Sequence, residues 1–391
     1  MKRAVIIADD LSGANDVGCK VFENGFKCAA VDASKQTLRR FLLNYKGIPI
    51  LNTASRMLSP GLAYKAVCLA VSPLNKYNLI YKKIDSTLRG NIGSEIDACI
   101  DALKIKAVAL VPAFPELGRT TVYGRHFLKG RLLENTEYAR DPVNPLSTSD
   151  ISVLLKEQSK YGSVLVDIDL IRQGPKAIKY FIRSKSGSKP LIFYFDCLNS
   201  SDMKIIAKAV KEFKVIAGAS ALAGYIFPKR KTIISAYPKA NRGNAYLAGS
   251  LKEITHKQVK RLSKVKNIPV YPILADKPCR SNGEDVIFCV KLLKSGVKTK
   301  TRKKIEASFK REVLDLVLKQ KYGRLFITGG ATAEIIFKAL KINYTEIKDV
   351  LFAGVPLTYS PERNIYVITK PGGFGEENAL LKIHERLKQL D

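Results

Sequence analysis

The sequence predicts an α/β protein made of two α/β domains with mainly parallel sheets. Three observations lead there. Short, branched apolar runs alternate with amphipathic helical runs along all 391 residues. That length suits two or three domains of about 100–200 residues each. The composition, 46% hydrophobic and 26% charged, is that of an ordinary globular chain, which excludes disorder and collagen-like structure.

The elements follow in order. AVIIA (4–8) is closed by Asp9 and Asp10; it is too short for a secretory leader and reads as a first strand. NLIYKKI (78–84), AVALVPA (107–113), SVLVDI (163–168) and PLIFYF (190–195) read as further strands, with helical patterns such as TLRRFLLNY (37–45) and DMKIIAKAVKEF (202–213) between them. PKRKTIISAYPKANRGN (228–244), with two prolines and a basic run, reads as a connection between domains. The domain boundaries expected are therefore 1–228, a linker at 229–243, and 244–391. A second α/β series then runs through AYLAGS, a helix from about Thr255, PVYPILA (269–275), DVIFCV (285–290), a helix near 303–320, RLFIT (324–328) and IYVIT (365–369).

The net charge is +31. It is spread evenly: residues 1–230 hold 35 basic and 20 acidic side chains, residues 231–391 hold 31 and 15. A positive field favours anionic partners such as nucleotides, acids or nucleic acid, and equally describes a lysine-rich surface with no partner at all. The segment 291–311, with nine basic residues and one acid, reads as a solvated loop leading into a helix. No RRM, KH or zinc-finger signature is present, so nucleic acid is not the expected partner. No stretch approaches the roughly 18 apolar residues of a membrane span. Seven cysteines are scattered without a C-x-x-C pair, which fits reduced thiols and a cytoplasmic protein.

Several chemistries are excluded by missing motifs. There is no Gly-Lys dipeptide, hence no Walker A loop, and the only G-x-G, at Gly373–Gly375, lacks the rest of a dinucleotide fingerprint. The three histidines make no zinc set, and His384 reads as a surface or packing residue. What is present is a set of strand–turn–helix junctions. AVIIADDLSGANDVG (4–18) puts Asp9 and Asp10 at a strand end, where open α/β sheets bind ligands; a helix N-cap is the plainer role for the same carboxylate. RLFITGGATAEIIFKAL (324–340) and IYVITKPGGFGEENALLKIHERL (365–387) place Gly329-Gly330 and Gly372-Gly373-Phe374-Gly375 between strand and helix, the first helix expected to be capped near Thr332. Glycines permit close backbone approach and helix starts offer free N–H groups, which together suggest a phosphate cradle. KKIDSTLRGNIGSE (82–95), NTASR (52–56) and PAFPELGRTTVYGRHF (112–127) contribute Lys83, Asp85, Ser86, Arg89, Arg56 and Arg119. That mix suits an acidic, hydroxylated ligand, although each arginine taken alone suits a surface salt bridge.

Taken together these stretches, with ENTEYARDPVNPLSTSD (134–150), AGASALAG (217–224) and GVPL (354–357), make a chain that resembles the four-carbon acid sugar kinase family. The resemblance covers nearly the whole chain. It implies an N-terminal domain that binds the acid sugar, a C-terminal domain that binds ATP with Mg2+, and an active site in the interdomain cleft. The implied reaction is phosphorylation of the terminal hydroxyl of threonate, erythronate or an oxo-tetronate. The implied partners are a small sugar acid and ATP, with a homodimer possible. The implied nucleotide contacts are Gly249, Ser250 and Lys252, then Gly329, Gly330, Ala331 and Thr332, then Gly372, Gly373 and Gly375. On the acid side, Asp10 is the expected general base with Asp9 its rival, Lys83 and Asp85 orient hydroxyls, Arg56 and Arg89 hold the carboxylate, and Ser86 and Arg119 join the pocket. The family's TGGDT reads TGGAT here, so Ala331 replaces an acid, and GSCS reads GSLK. The metal ligands are not assigned. A kinase of another small hydroxy acid or hydroxy amino acid, such as 4-hydroxythreonine, is the alternative, and a basic nucleic-acid-binding protein the remote one.

Overall fold

The computed structural model describes residues 3–34, 38–141, 145–231, 243–250, 252–273, 284–290, 307–308, 310–311 and 322–390. The chain divides into two compact units, Met1–Ile233 and Ile234–Asp391. The linker expected at 229–243, the helix near 303–320 and the basic segment 291–311 lie wholly or largely outside the described residues.

The first unit opens with β1 (Ala4–Ala8), α1 (Leu11–Glu23), β2 (Cys28–Asp32), α2 (Leu38–Asn44), β3 (Ile48–Asn52), α3 (Pro60–Val71), β4 (Leu79–Lys83), α4 (Ile92–Leu103) and β5 (Ala107–Val111). A three-stranded excursion follows: β6 (Arg119–Val122), β7 (Arg125–Leu128) and β8 (Arg131–Leu132). The unit closes with α5 (Ile151–Gln158), β9 (Gly162–Val166), α6 (Ile168–Arg172), α7 (Pro175–Lys185), β10 (Leu191–Phe195), α8 (Ser200–Ala209), β11 (Val215–Gly218) and α9 (Ser220–Ile226). Its main sheet is parallel throughout, in the order β2-β3-β1-β4-β11-β5-β10-β9. Helices cover both faces, so β1 is buried along its whole length and reads as an unbroken apolar run rather than an alternating one. The chain runs from β1 out to β2, returns through β3, and passes to the far side of β1 as β4. That reversal opens a crevice at the carboxyl ends of β1, β3 and β4, the switch point where such sheets hold ligands.

The antiparallel β6-β7-β8 ribbon was not foreseen. Its strands are short and mix polar with apolar residues. β6 and β7 are joined at Tyr123-Gly124 (φ +46° and +74°) and β7 and β8 at Lys129-Gly130 (φ +49° and +76°), the backbone that two-residue hairpin turns require.

In the second unit, β12 (Asn244–Ala248), α10 (Glu253–Lys266), β13 (Val270–Pro272), β14 (Val286–Cys289), β15 (Arg324–Thr328) and α11 (Gly330–Ala339) precede a meander of β16 (Tyr344–Phe352), β17 (Val355–Ser360) and β18 (Ile365–Lys370), then α12 (Ala379–Gln389). The sheet order is β13-β14-β12-β15-β18-β17-β16; the first five strands are parallel, and β17 and β16 are added antiparallel. Its core gathers Tyr246, Leu262, Ile287, Phe326, Leu357, Ile368, Ile383 and Leu387. His384 is buried, its Nδ1 2.6 Å from the Tyr246 hydroxyl, so it is a packing residue. Among the described residues no helix is long and apolar enough to cross a membrane.

Candidate active site

The crevice of the first unit is lined by a ledge of charged side chains. Asp9 and Asp10 leave β1, Arg56 leaves the turn after β3, and Lys82 to Arg89 leave β4. The main chain sets their register: Arg56 N–H donates to the Asp9 carbonyl at 3.1 Å and Thr53 N–H to the Ala8 carbonyl at 2.9 Å. Arg56 therefore sits beside both acids. Its Nε and Nη2 each lie 2.8 Å from a different oxygen of Asp9, and its Nη1 lies 2.6 Å from Asp10 Oδ2. The other Asp10 oxygen accepts from Gly13 N–H at 2.6 Å and caps α1. The plain capping role and the functional placement thus belong to one carboxylate. Gly90, at φ +93°, packs against this cluster; a Cβ there would stand 3.3 Å from Arg56 Cγ and 3.4 Å from Asp9 Oδ2.

The two acids are electrostatically unequal. Burial raises the pKa of both. For Asp9 the charges of Arg56, Lys82 and Lys83 outweigh burial and hold it below the usual carboxylate value. For Asp10 burial wins over Arg56, and the neighbouring Asp9 charge pushes it further up. Adjacent carboxylates whose pKa values are driven apart divide the work of ion-pairing and proton acceptance. Asp9 thus stays ionised beside Arg56, and Asp10 holds a proton more readily than Asp9 does.

Beneath the ledge lies a sealed polar chain. Lys82 Nζ is 2.6 Å from Glu95 Oε2 on α4, Ser55 Oγ donates to Glu95 Oε1 at 2.5 Å, Ser55 and Thr53 hydroxyls are 2.7 Å apart, and Thr53 Oγ1 donates to the Ala8 carbonyl. Every member is buried. This chain ties the ends of β1, β3 and β4 to α4, and no sequence spacing announces it.

Further along the ledge, Asp85 accepts from Arg89 Nε at 2.7 Å and from Thr87 Oγ1 at 2.5 Å. Burial opposes ionisation of Asp85, but Arg89 and Arg56 hold it well below the carboxylate range. Arg89 also reaches Asp141 at 3.2 Å and lies over the Tyr138 ring. Lys83 Nζ donates to the Ile84 carbonyl at 2.7 Å and lies 3.8 Å from Asp16 on α1, whose carboxylate accepts from Ser220. Arg119 donates to the Ser86 hydroxyl, and His126 Nε2 lies 3.0 Å from the Ser86 carbonyl. All eight residues expected on the acid-binding side are thus in this unit: Asp9, Asp10 and Arg56 form one cluster, Asp85 and Arg89 a second, Ser86 and Arg119 a third, and Lys83 stands apart beside Asp16. Lys82 belongs to the polar run 82–95 that the sequence marks, but its pairing with Glu95 does not show there; Asp16, Glu95 and Asp141 go unmarked because their contacts link segments distant in sequence.

In the second unit the three expected turns converge at the carboxyl ends of β12, β15 and β18. Gly249 N–H donates to the Thr328 carbonyl and Gly329 N–H to the Lys370 carbonyl at 2.9 Å. The approach is close enough to require glycine: a Cβ on Gly249 would lie 2.1 Å from Thr332 Oγ1, and one on Gly372 2.2 Å from Ser250 Oγ. Helix α11 is capped by Gly329, at φ +107°, rather than near Thr332, which lies in its first turn. Glycine takes that position because the chain needs a positive φ there. Lys252 is the N-cap of α10, its Cγ 4.0 Å from where a Gly373 Cβ would stand. Gly330 and Ala331 open α11 and leave no carboxylate in its first turn. Among the described residues no group of three or more His, Cys, Asp or Glu side chains could hold a metal ion.

Known proteins share this architecture. Residues 4–226 match the family described as the sugar-binding N-terminal domain, and residues 289–380 the nucleotide-binding C-terminal domain. A D-threonate kinase of Salmonella typhimurium is 27% identical, with 97% of this chain and 96% of that protein aligned. A D-erythronate kinase of Heliobacterium modesticaldum is 33% identical over 66% of this chain and 60% of its own length. In fold, a Haemophilus influenzae protein of the domain-of-unknown-function family 1537 superposes with a TM-score of 0.76 at 22% identity, covering 98% of this chain and 99% of that one. The sugar-binding match alone spans more than half of the chain, and the protein belongs to the four-carbon acid sugar kinase family.

Proposed function

We propose that this protein is an ATP-dependent kinase that phosphorylates the terminal hydroxyl of a four-carbon sugar acid of the threonate, erythronate or oxo-tetronate type. The observation that carries the reading is the convergence of three glycine turns at the ends of parallel strands in the unit that matches a nucleotide-binding domain. Phosphoryl transfer asks for positioning and charge neutralisation more than for covalent chemistry. The backbone amides of those turns would hold the nucleotide's phosphates, with Ser250, Thr332 and Lys252 beside them. The donor set fits Mg2+ arriving on ATP, since this ion uses one or two carboxylates together with substrate phosphates. It does not offer a cage for a resident metal, as no such acid cluster exists among the described residues. When bound, the ion supplies neutralisation of phosphate charge.

On the acid side, Asp10 would take the proton of the attacking hydroxyl, while Asp9 keeps Arg56 in place. Three of the five guanidinium donors of Arg56 are spent on these acids, which leaves it able to meet a substrate carboxylate. Lys83, Asp85, Ser86, Arg89 and Arg119 would orient the remaining oxygens. We assign the acid to a domain at 1–228 and the nucleotide to a domain at 244–391; reaction requires the γ-phosphate held by one to meet the hydroxyl held by the other. The six cysteines among the described residues are all free, which supports a reducing, cytoplasmic setting. We extend the proposal to a homodimer, checked by light scattering.

The decisive test is ADP release from the purified protein with Mg·ATP and a panel of C4 sugar acids, 4-hydroxythreonine included. Turnover on at least one tetronate, absent without acid, is expected. Turnover on none of the acids, or on 4-hydroxythreonine alone, would displace this reading.

A further inference from the structure

Lys370 ends β18 and enters the glycine loop, yet it is 2% exposed. Its ammonium does not reach outward. It donates to the Pro371 carbonyl at 2.9 Å, the Phe374 carbonyl at 2.9 Å and, more distantly, the Gly372 carbonyl at 3.4 Å. Two side chains of α10 draw on the same carbonyls. Thr255 Oγ1 donates to the Gly372 carbonyl at 2.6 Å, and Gln258 Nε2 lies 3.1, 3.1 and 2.9 Å from the carbonyls of Phe374, Gly375 and Glu376. Five consecutive or near-consecutive carbonyls are therefore gathered on the inner side of the loop.

The peptide geometry then dictates what the other side shows. In a planar trans peptide the N–H points opposite to the carbonyl of the preceding residue. Turning the carbonyls of Pro371, Gly372 and Phe374 inward turns the amides of Gly372, Gly373 and Gly375 outward. None of these three amides donates to any other described group. Space is open at the middle of the loop: a Cβ on Gly373 would meet nothing nearer than Lys252 Cγ at 4.0 Å, whereas Gly372 and Gly375 pack closely against Ser250 and Ala379. Successive amides directed to one side form an anion-binding concavity. Among the described residues no carboxylate accounts for the buried ammonium; burial pushes Lys370 down to about 8.

We propose that Lys370 is the positioning residue of the phosphate cradle: from inside, with Thr255 and Gln258, it holds the loop carbonyls so that the glycine amides face a nucleotide phosphate. This rests on the kinase reading given above. The ammonium suits the task because it carries three donors on one atom, and no apolar residue of the same length could satisfy three buried carbonyls.

The test measures ADP binding by calorimetry and steady-state constants for ATP and the acid, in the wild type and in Lys370→Met and Thr255→Val. Lys370→Met is expected to weaken ADP at least tenfold and to raise KM for ATP in parallel, with KM for the acid changed less than twofold. Thr255→Val, nearly isosteric, is expected to shift ADP affinity the same way by about threefold, and it decides the matter if Lys370→Met does not fold. ADP affinity within twofold of wild type in the folded variant, or equal losses for ATP and acid, overturns the inference while leaving the kinase reading intact. A wild type that binds the acid but no ADP overturns both.

Discussion

The two units build their candidate sites from different material. The ledge of the first unit is made of side chains: Asp9, Asp10, Arg56, Asp85 and Arg89 hold one another in place, over a sealed Lys82–Glu95 pair. The cradle of the second unit is made of main chain: glycines stacked against Thr332 and Ser250, with Lys370 and Gln258 holding carbonyls. A side-chain site is specific, because each charge is positioned by its neighbours, and brittle, because removing one leaves another buried and unpaired. A main-chain site recognises what all nucleotides share and tolerates changes of side chain, so long as the glycines stay. The replacement of the family's acid by Ala331, in a cradle that otherwise keeps its glycines, fits that contrast.

Four experiments probe the contrast, beginning with the largest effect. Asp10→Asn preserves the cap of α1, since asparagine caps as well as aspartate, and removes the proton acceptor. Turnover should fall by about 10²–10⁴-fold, the usual contribution of a general base, with the circular dichroism spectrum unchanged. Near-normal turnover would hand the role to another group. Arg56→Met strands the buried Asp9 and the half-buried Asp10, and breaking such a cluster costs about 3–5 kcal/mol. Urea unfolding should register that loss together with a raised KM for the acid and an unaltered affinity for ADP.

The third concerns pH. Burial depresses His126 to about 4, with a smaller push from Arg119 against the opposing bond to Ser86. The unfolded chain, with a histidine near 6.5, binds this proton more readily than the folded one. Stability is therefore complete above about pH 6.5 and falls as the pH drops toward 4, by about 3 kcal/mol from this residue. His126→Gln should flatten that part of the stability profile; an unchanged slope would assign it elsewhere. The smallest effect is expected from Ala331→Asp. If the cradle is built from backbone, restoring the family's acid should move KM for ATP by less than about threefold, under 1 kcal/mol. A tenfold gain would show that a carboxylate matters there after all.

Much of this was legible in the residues. Strands buried on both faces write themselves as apolar runs, so β1, β5 and β10 are visible in AVIIA, AVALV and LIFYF, while β4 (LIYKK) and the half-exposed edge strand β9 (SVLV) show as shorter ones. Asp9 and Asp10 were legible because strand ends in such sheets carry function, and the glycine turns because few residues allow that backbone. The β6-β7-β8 ribbon and β16 were not legible, since their half-exposed, mixed composition resembles loop. Nor were the partners of the arginines. That Arg56 grips Asp9 and Asp10, and Arg89 grips Asp85 and Asp141, depends on which strand lies beside which. Thr332 was misjudged as a cap for a related reason: its hydroxyl suits the role, but the chain turned three residues earlier at a glycine.

The main-chain bond from Arg56 to the Asp9 carbonyl has a practical corollary for anyone who would alter this protein. The loop leaving β3 is ruled off against its neighbour like a vernier, so the arginine's reach is measured from the sheet. Adding one residue between Asn52 and Arg56 would displace the guanidinium by about 3.5 Å, more than the length of any of the three contacts it makes. Insertions there should be far less forgiving than insertions beside the exposed Gly187, where nothing is being measured out.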